Sequence, residues 1–240
     1  MSNSVIGKIV DWLKEQLQDS RTSGFVLGLS GGLDSSVCAA LITRANKNCL
    51  GLILPIESKT EDIEDASDLA AELGMQTACL DLTSVYNSTI KLLPTQDKVA
   101  LGNVKARLRM VVLYYYANLR NYLVCGTGNK TELMLGYFTK YGDGACDILP
   151  LGDMYKHEVR RIAETLNIPK AIIEKTPSAG LWQGQTDEGE IGFPYDQIDK
   201  TLDEIDQGKI SGICAEKLHK MIKKNIHKKR LPVICSLKRS

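Results

Sequence analysis

The sequence predicts an α/β fold: a doubly wound parallel sheet with helices on both faces. Three observations predict it. Short apolar runs alternate with longer stretches whose apolar residues recur at helical spacing, the pattern of strand–helix–strand units. Most of the short runs stop at glycine or proline: Phe25–Leu29 at Ser30-Gly31-Gly32, Cys49–Leu54 at Pro55, Tyr122–Cys125 at Gly126. The chain has 240 residues, 43% hydrophobic and 25% charged, which suits one sizeable domain spanning residues 1–240.

In order, residues 4–18 read as a helix with Ile6, Ile9, Val10, Leu13 and Leu17 on one face. Phe25–Leu29 is a buried strand, and a helix follows the glycine break from Ser35 through Ile42. Cys49–Leu54 is a second strand, stopped because Pro55 lacks the N–H that a ladder needs. Glu61–Leu73 is an amphipathic helix ended by Gly74, and Gln76–Leu80 a third strand. Val85–Leu93 and Val99–Leu119 are helices. In the second, Val111, Val112 and Leu113 with Tyr114-Tyr115-Tyr116 leave little polar face, so it is buried or meets a partner. Tyr122–Cys125 is a fourth strand. Beyond it, 129–136 is helical, Tyr137–Leu151 an irregular loop, and Lys156–Leu166 a helix. Residues 177–193 carry Pro177, several glycines and Asp187, Glu188 and Glu190, with little to bury, and read as a structureless mobile lid. Helices over 195–206 and 211–226 precede a basic tail, 227–240.

Bulk properties exclude several classes. A net charge of +1 argues against a dedicated nucleic-acid binder, although basic residues crowd between Lys217 and Arg239. No apolar span suits a membrane helix, and Asp11, Lys14 and Glu15 do not fit a signal peptide, so a cytoplasmic location is expected. The seven cysteines, Cys38, Cys49, Cys79, Cys125, Cys146, Cys214 and Cys235, contain no C-x-x-C pair and read as reduced thiols. Cys38, Cys49, Cys79 and Cys125 lie in apolar runs and are expected to be buried. His157 and His219 read as helix-surface residues.

The chemistry concentrates after the first strand. Gly28, Leu29, Ser30, Gly31, Gly32, Leu33, Asp34 and Ser35 form a strand–glycine turn–helix junction. Such a junction cradles anions: glycines admit a close ligand, and the helix start offers free N–H groups and a favourable dipole. Asp34 would repel a phosphate unless a divalent cation lies between them. The loop after the second strand, Pro55–Ser58, and that after the fourth, Gly126–Asn129, should share its crevice, because ligands of parallel sheets sit at the strands' carboxyl ends. No lysine makes this a Walker loop. Ser30–Ser36 instead resembles the S-G-G-x-D-S-[ST] loop of the ATP-pyrophosphatases, which grips the β- and γ-phosphates while a nucleophile attacks the α-phosphorus.

Three further stretches narrow the resemblance: Gly102–Met110, Gly126–Glu132 and Gly136–Leu151. With these, the chain is similar to the NAD synthetases from about residue 5 to about residue 232. The resemblance implies amidation of deamido-NAD by ammonia, with ATP as co-substrate and Mg²⁺ as cofactor, giving NAD, AMP and pyrophosphate. It implies that Asp34 and Glu132 hold Mg²⁺ and that Lys156, Thr127 and Ser178 join the phosphate loop on ATP. Arg107, Lys140, Asp147, His227 and Lys228 match positions on deamido-NAD, with Asp143 and Asp147 near the ammonia. Arg107 and Arg109 point to different sides of their helix, and the match selects Arg107. The family is homodimeric near the dinucleotide site. The chemistry asks for the same residue types, since activating a carboxylate by adenylation spreads negative charge over phosphoryl oxygens. A GMP-type synthetase shares the first loop but not Tyr137–Leu151. A tRNA-modifying relative needs a larger basic surface, and a non-catalytic adenine-nucleotide sensor would need neither metal carboxylates nor a second anion site. One helix before the first strand and a short tail after residue 226 leave no room for a glutaminase, so free ammonium is the expected nitrogen donor.

Overall fold

Strands β1 (Gly24–Gly28), β2 (Cys49–Ile53), β3 (Gln76–Cys79) and β4 (Tyr122–Val124) run parallel in the order β3-β2-β1-β4. The computed structural model describes residues 2–95 and 97–237. The chain builds outward from β1 to β3, then returns to place β4 on the other side of β1. That reversal opens a crevice at the carboxyl ends of β1 and β4.

Alternation along β1 divides the core. Phe25 and Leu27 face α1 (Ser2–Ser20), α2 (Leu33–Ala45) and α7 (Lys156–Thr165), whereas Val26 faces α5 (Lys98–Arg120) with Met110, Leu113 and Ala117. Each fully buried side chain of this size contributes about 1.5–3 kcal/mol. A third cluster unites α6 (Lys130–Leu135), α10 (Tyr195–Asp206) and α11 (Gly212–Asn225) through Leu135, Ile198, Leu202 and Leu218. The remaining helices are α3 (Thr60–Glu72), α4 (Thr83–Ile90), α8 (Lys170–Ile173) and α9 (Asp187–Ile191). Asp97 caps α5 by accepting from the Ala100 N–H at 2.7 Å.

The sheet and the main helices follow the sequence reading, with two corrections. Cys79 is exposed rather than buried, because β3 is an edge strand with little cover. Residues 177–193 are not structureless: they contain α9 and bury Gln185, Asp187 and Ile191. The basic tail opens in a 3-10 turn, Ile226–Lys228, and its last residues, 238–240, lie outside the described residues. On the single chain α5 leaves Val111, Tyr115 and Leu119 exposed as a stripe. No described helix is long and apolar enough to cross a membrane.

Candidate active site

The Ser30–Ser36 loop is shaped by one close approach. Gly31 has φ +73°, and a Cβ there would lie 2.2 Å from the Asp62 carbonyl oxygen, so α3 leaves room for glycine only. Ser35 and Ser36 donate their hydroxyls to the Gly32 carbonyl at 3.0 and 2.8 Å, tying the turn to α2. The Ser30 and Ser35 hydroxyls are bonded at 3.0 Å. No side chain caps α2, so its first N–H groups keep their capacity for an anion.

Asp34 projects from the first turn of α2 into a charged trio. Its Oδ1 accepts from the Nδ2 of buried Asn129 at 3.0 Å, and its Oδ2 pairs with the Lys156 Nζ. Lys156 is only 3% exposed and also lies 3.7 Å from Glu132 Oε1. Asn129 and Glu132 form a capping box at the start of α6, with N–H···O distances of 3.2 and 3.0 Å. Asn129 thereby fixes both carboxylates. Burial raises the Glu132 pKa and the Asp34 charge raises it further, while Lys156 opposes both. Burial alone would lower the Lys156 pKa, but Asp34 and Glu132 outweigh it and raise it. Two carboxylates against one ammonium leave the site short of positive charge when all three are ionised.

The floor of this site joins Asp187 and Glu190, from the segment expected to be a bare loop, to Tyr195 and Tyr137 outside it. Tyr195 lies with its ring 5.3 Å from the Lys156 Nζ and donates its hydroxyl to Asp187 Oδ2 at 3.0 Å. Tyr137 donates to Asp187 Oδ1 at 3.3 Å and also to Glu190. At the foot of the segment, Lys175 pairs with Asp62 at 2.7 Å and with Asp65, and its Nζ is 3.4 Å from the Gly31 carbonyl. Ser178 is exposed and accepts from the Gly180 N–H at 3.1 Å.

A second group of cations forms around residues 136–142. Arg107 Nε donates to the Lys140 carbonyl at 3.2 Å, and Lys140 Nζ donates to the His227 carbonyl at 2.8 Å. Lys228 Nζ donates to the carbonyls of Gly136 and Phe138, both at 2.9 Å. Arg109, by contrast, spends its Nε on the Leu54 carbonyl at 2.9 Å, so the two arginines serve different loops. Asp143 accepts from the Thr139 N–H at 2.9 Å. Asp147 has both oxygens engaged, with the Val124 N–H at 2.7 Å and the Tyr114 hydroxyl at 3.1 Å. Thr127 stands in the loop between β4 and α6, one residue beyond Gly126, whose N–H bonds the Ile148 carbonyl at 2.9 Å.

The structure thus joins Asp34, Glu132 and Lys156 in one cluster and Arg107, Lys140, His227 and Lys228 in another. The sequence reading gave no role to Asn129, Asp187, Tyr137, Tyr195 or Lys175. Asn129 had a usable signal, an N-cap residue three positions before Glu132; the others meet only through tertiary packing.

A glycine turn at the topological switch point, facing paired carboxylates and a buried lysine, fits the class of nucleotide-binding α/β proteins. The family model for NAD synthase matches residues 5–232, and the chain belongs to that family. The NH(3)-dependent NAD(+) synthetase of Carboxydothermus hydrogenoformans is 46% identical, covering 95% of each chain. The enzyme of that name from Methanocaldococcus jannaschii is 42% identical over the same shares. Among solved structures, NMN synthetase from Francisella tularensis matches with a TM-score of 0.93 and 38% identity, covering 99% of each chain. NH3-dependent NAD synthetase from Campylobacter jejuni matches with a TM-score of 0.87 and 34% identity, covering 98% of this chain and 99% of the other.

Proposed function

We propose that this chain is a ligase that amidates deamido-NAD with ammonia, consuming ATP and releasing AMP and pyrophosphate. The observation that carries it is the buried Lys156 shared by Asp34 and Glu132 beside the phosphate loop, with a separate cationic cluster for a second anionic substrate. The N–H groups and hydroxyls of residues 30–36 take the terminal phosphates, and Lys156, Thr127 and Ser178 add donors. The substrate carboxylate attacks the α-phosphorus, and pyrophosphate leaves. Ammonia then attacks the acyl carbon, AMP departs, and the nitrogen loses a proton. Asp143 suits that proton better than Asp147, whose two oxygens already accept bonds.

Asp34 and Glu132 also fit Mg²⁺: hard oxygen donors beside a phosphate site, where this ion binds through one or two carboxylates, phosphates and water. Among the described residues no group of three or more His, Cys, Asp or Glu is placed to hold an ion, which suits a metal shared with the nucleotide rather than caged by protein. When bound, Mg²⁺ neutralises charge developing on the phosphoryl oxygens.

In this reading Arg107, Lys140, His227 and Lys228 receive the dinucleotide's pyrophosphate. Arg107→Ala should raise the KM for deamido-NAD about 10–100-fold, the worth of a charged hydrogen bond, while the KM for ATP changes little. Steady-state kinetics varying each substrate checks this; equal effects on both would remove Arg107 from the dinucleotide site. The likeness to the Francisella NMN synthetase favours a second reading, amidation of nicotinate mononucleotide by the same steps. Assaying both acceptors with ATP, Mg²⁺ and ammonium separates the two, with NAD formation from deamido-NAD as the expected faster reaction.

The lid belongs to this proposal in a narrower form. Asp187, Tyr195 and Tyr137 anchor its second half, leaving residues 178–184, which contain Gly180 (φ +61°) and end at Gly184 (φ +75°), to close over the adenylate and exclude water. Limited proteolysis should cut within 178–184, and ATP with deamido-NAD should suppress the cut; equal cleavage with and without substrates would argue against closure. The exposed Val111, Tyr115 and Leu119 stripe on α5 supports pairing with a second copy of the chain.

A further inference from the structure

Behind the charged trio, α10 contributes a carboxylate that touches neither nucleotide loop. Asp199 is 2% exposed. Its Oδ1 accepts from the Thr131 hydroxyl at 2.5 Å. Its Oδ2 accepts from the His157 backbone N–H at 3.0 Å and lies 2.9 Å from His157 Nδ1. Thr131 Oγ1 in turn accepts from the Lys156 backbone N–H at 3.1 Å. Thr131 is the neighbour of Glu132, and His157 the neighbour of Lys156. One buried carboxylate therefore holds the first turns of both α6 and α7, the turns that carry two members of the trio.

We propose that Asp199 is a positioning residue for Glu132 and Lys156, acting through Thr131 and the α7 N-terminus. The physical need is plain. Lys156 is a cation at the positive end of a helix, and the pull of Asp34 on its ammonium is balanced only if the backbone under it is fixed. Asp199 supplies negative charge to both helix starts and accepts N–H and O–H groups that would otherwise be buried without partners. Displacing either turn by an ångström misaligns the lysine and the carboxylate relative to the phosphates, and such errors cost rate far more than they cost binding of a remote substrate part. His157 is not a plain surface residue in this light: its backbone N–H and ring both lie against Asp199, with the ring edge in solvent.

This inference rests on the functional reading above, and the test separates the two. Asp199→Asn, Thr131→Val and Thr131→Ser are compared with the unaltered chain in amide formation, in magnesium–ATP titration and in thermal melting. Thr131→Val has nearly the shape of the native residue and decides the matter even if Asp199→Asn folds poorly. Asp199→Asn and Thr131→Val should each lower kcat about 10–100-fold, with the KM for deamido-NAD within about threefold. Thr131→Ser, which keeps the hydroxyl, should return kcat to within about threefold of the unaltered chain. A Thr131→Val protein with unaltered kcat and unaltered magnesium–ATP affinity overturns the proposal, as does failure of Thr131→Ser to restore a lost kcat. If the unaltered chain binds magnesium–ATP but amidates neither acceptor, the functional reading fails alone; positioning then stands if Thr131→Val binds magnesium–ATP about tenfold more weakly, and falls if it does not.

Discussion

Asp34→Asn and Glu132→Gln should each reduce amide formation by about a thousandfold at saturating Mg²⁺, and neither should unfold the protein. Each carboxylate lies beside the phosphate loop and shares Lys156, so either loss removes charge that no neighbour replaces. Stability should move the other way for Glu132→Gln. Burial and the Asp34 charge raise the Glu132 pKa from its ordinary 4.5, so the fold binds its proton more tightly than the unfolded chain does. The stability this group contributes is complete below its ordinary pKa and is lost as pH rises through the raised one. Without ligands, Glu132→Gln should therefore melt about 2–4 °C above the unaltered chain near pH 9, with the gap closing toward pH 5. Calorimetry at the two pH values, beside a turnover assay, checks both halves. Unaltered turnover in either variant would remove that residue from the metal site, and a gap that widens toward low pH would contradict the electrostatic account.

This opposition between stability and activity is why part of the site was legible in the sequence and part was not. Asp34 sits in a turn whose residue types already announce an anion, so a carboxylate there is a conflict visible without structure. Glu132 and Lys156 read as surface charges on their own; only the family resemblance singled them out, whereas in the fold Lys156 is buried and Glu132 half-buried beside it. The strand positions were equally legible, because apolar runs ended by glycine or proline leave few alternatives. Cys79 was misread because an apolar run does not reveal whether its strand is central or at the edge. Residues 177–193 were misread for the opposite reason. Asp187 is buried against Tyr137 and Tyr195 from elsewhere in the chain, Gln185 is buried while bonding Leu181 and Glu190, and composition alone counts such residues as exposed. Asp199 carried no local signal at all, since its partners Thr131 and His157 belong to two other helices.

Ammonium, and not glutamine, should supply the nitrogen to this chain. Glutamine hydrolysis needs a nucleophile, usually a cysteine held as thiolate by a nearby cation or a helix N-terminus. The thiols close to the crevice are tuned the other way. Burial pushes Cys146 up to about 12, and Cys38, set against the Cys125 thiol and buried, is raised well above its ordinary value. Burial likewise pushes Cys49 up to about 12, and Cys214 packs among the apolar side chains of α10 and α11. Cys79 and Cys235 are exposed, one on the edge strand and the other in the tail beyond the 3-10 turn. Cys38, Cys49 and Cys146 are thus held as thiols, the unreactive form, at neutral pH. With ammonia-free glutamine, the purified chain should form amide at less than about 1% of the rate given by equal ammonium. Because the attacking species is neutral ammonia, turnover at subsaturating ammonium should also rise with pH as the ammonium ion gives up its proton, and Asp143→Asn should reduce it if that carboxylate takes the proton released after attack. Comparable rates from the two donors, in a preparation shown to contain this chain alone, would mean that a thiol or another nucleophile here is activated against the direction its surroundings impose.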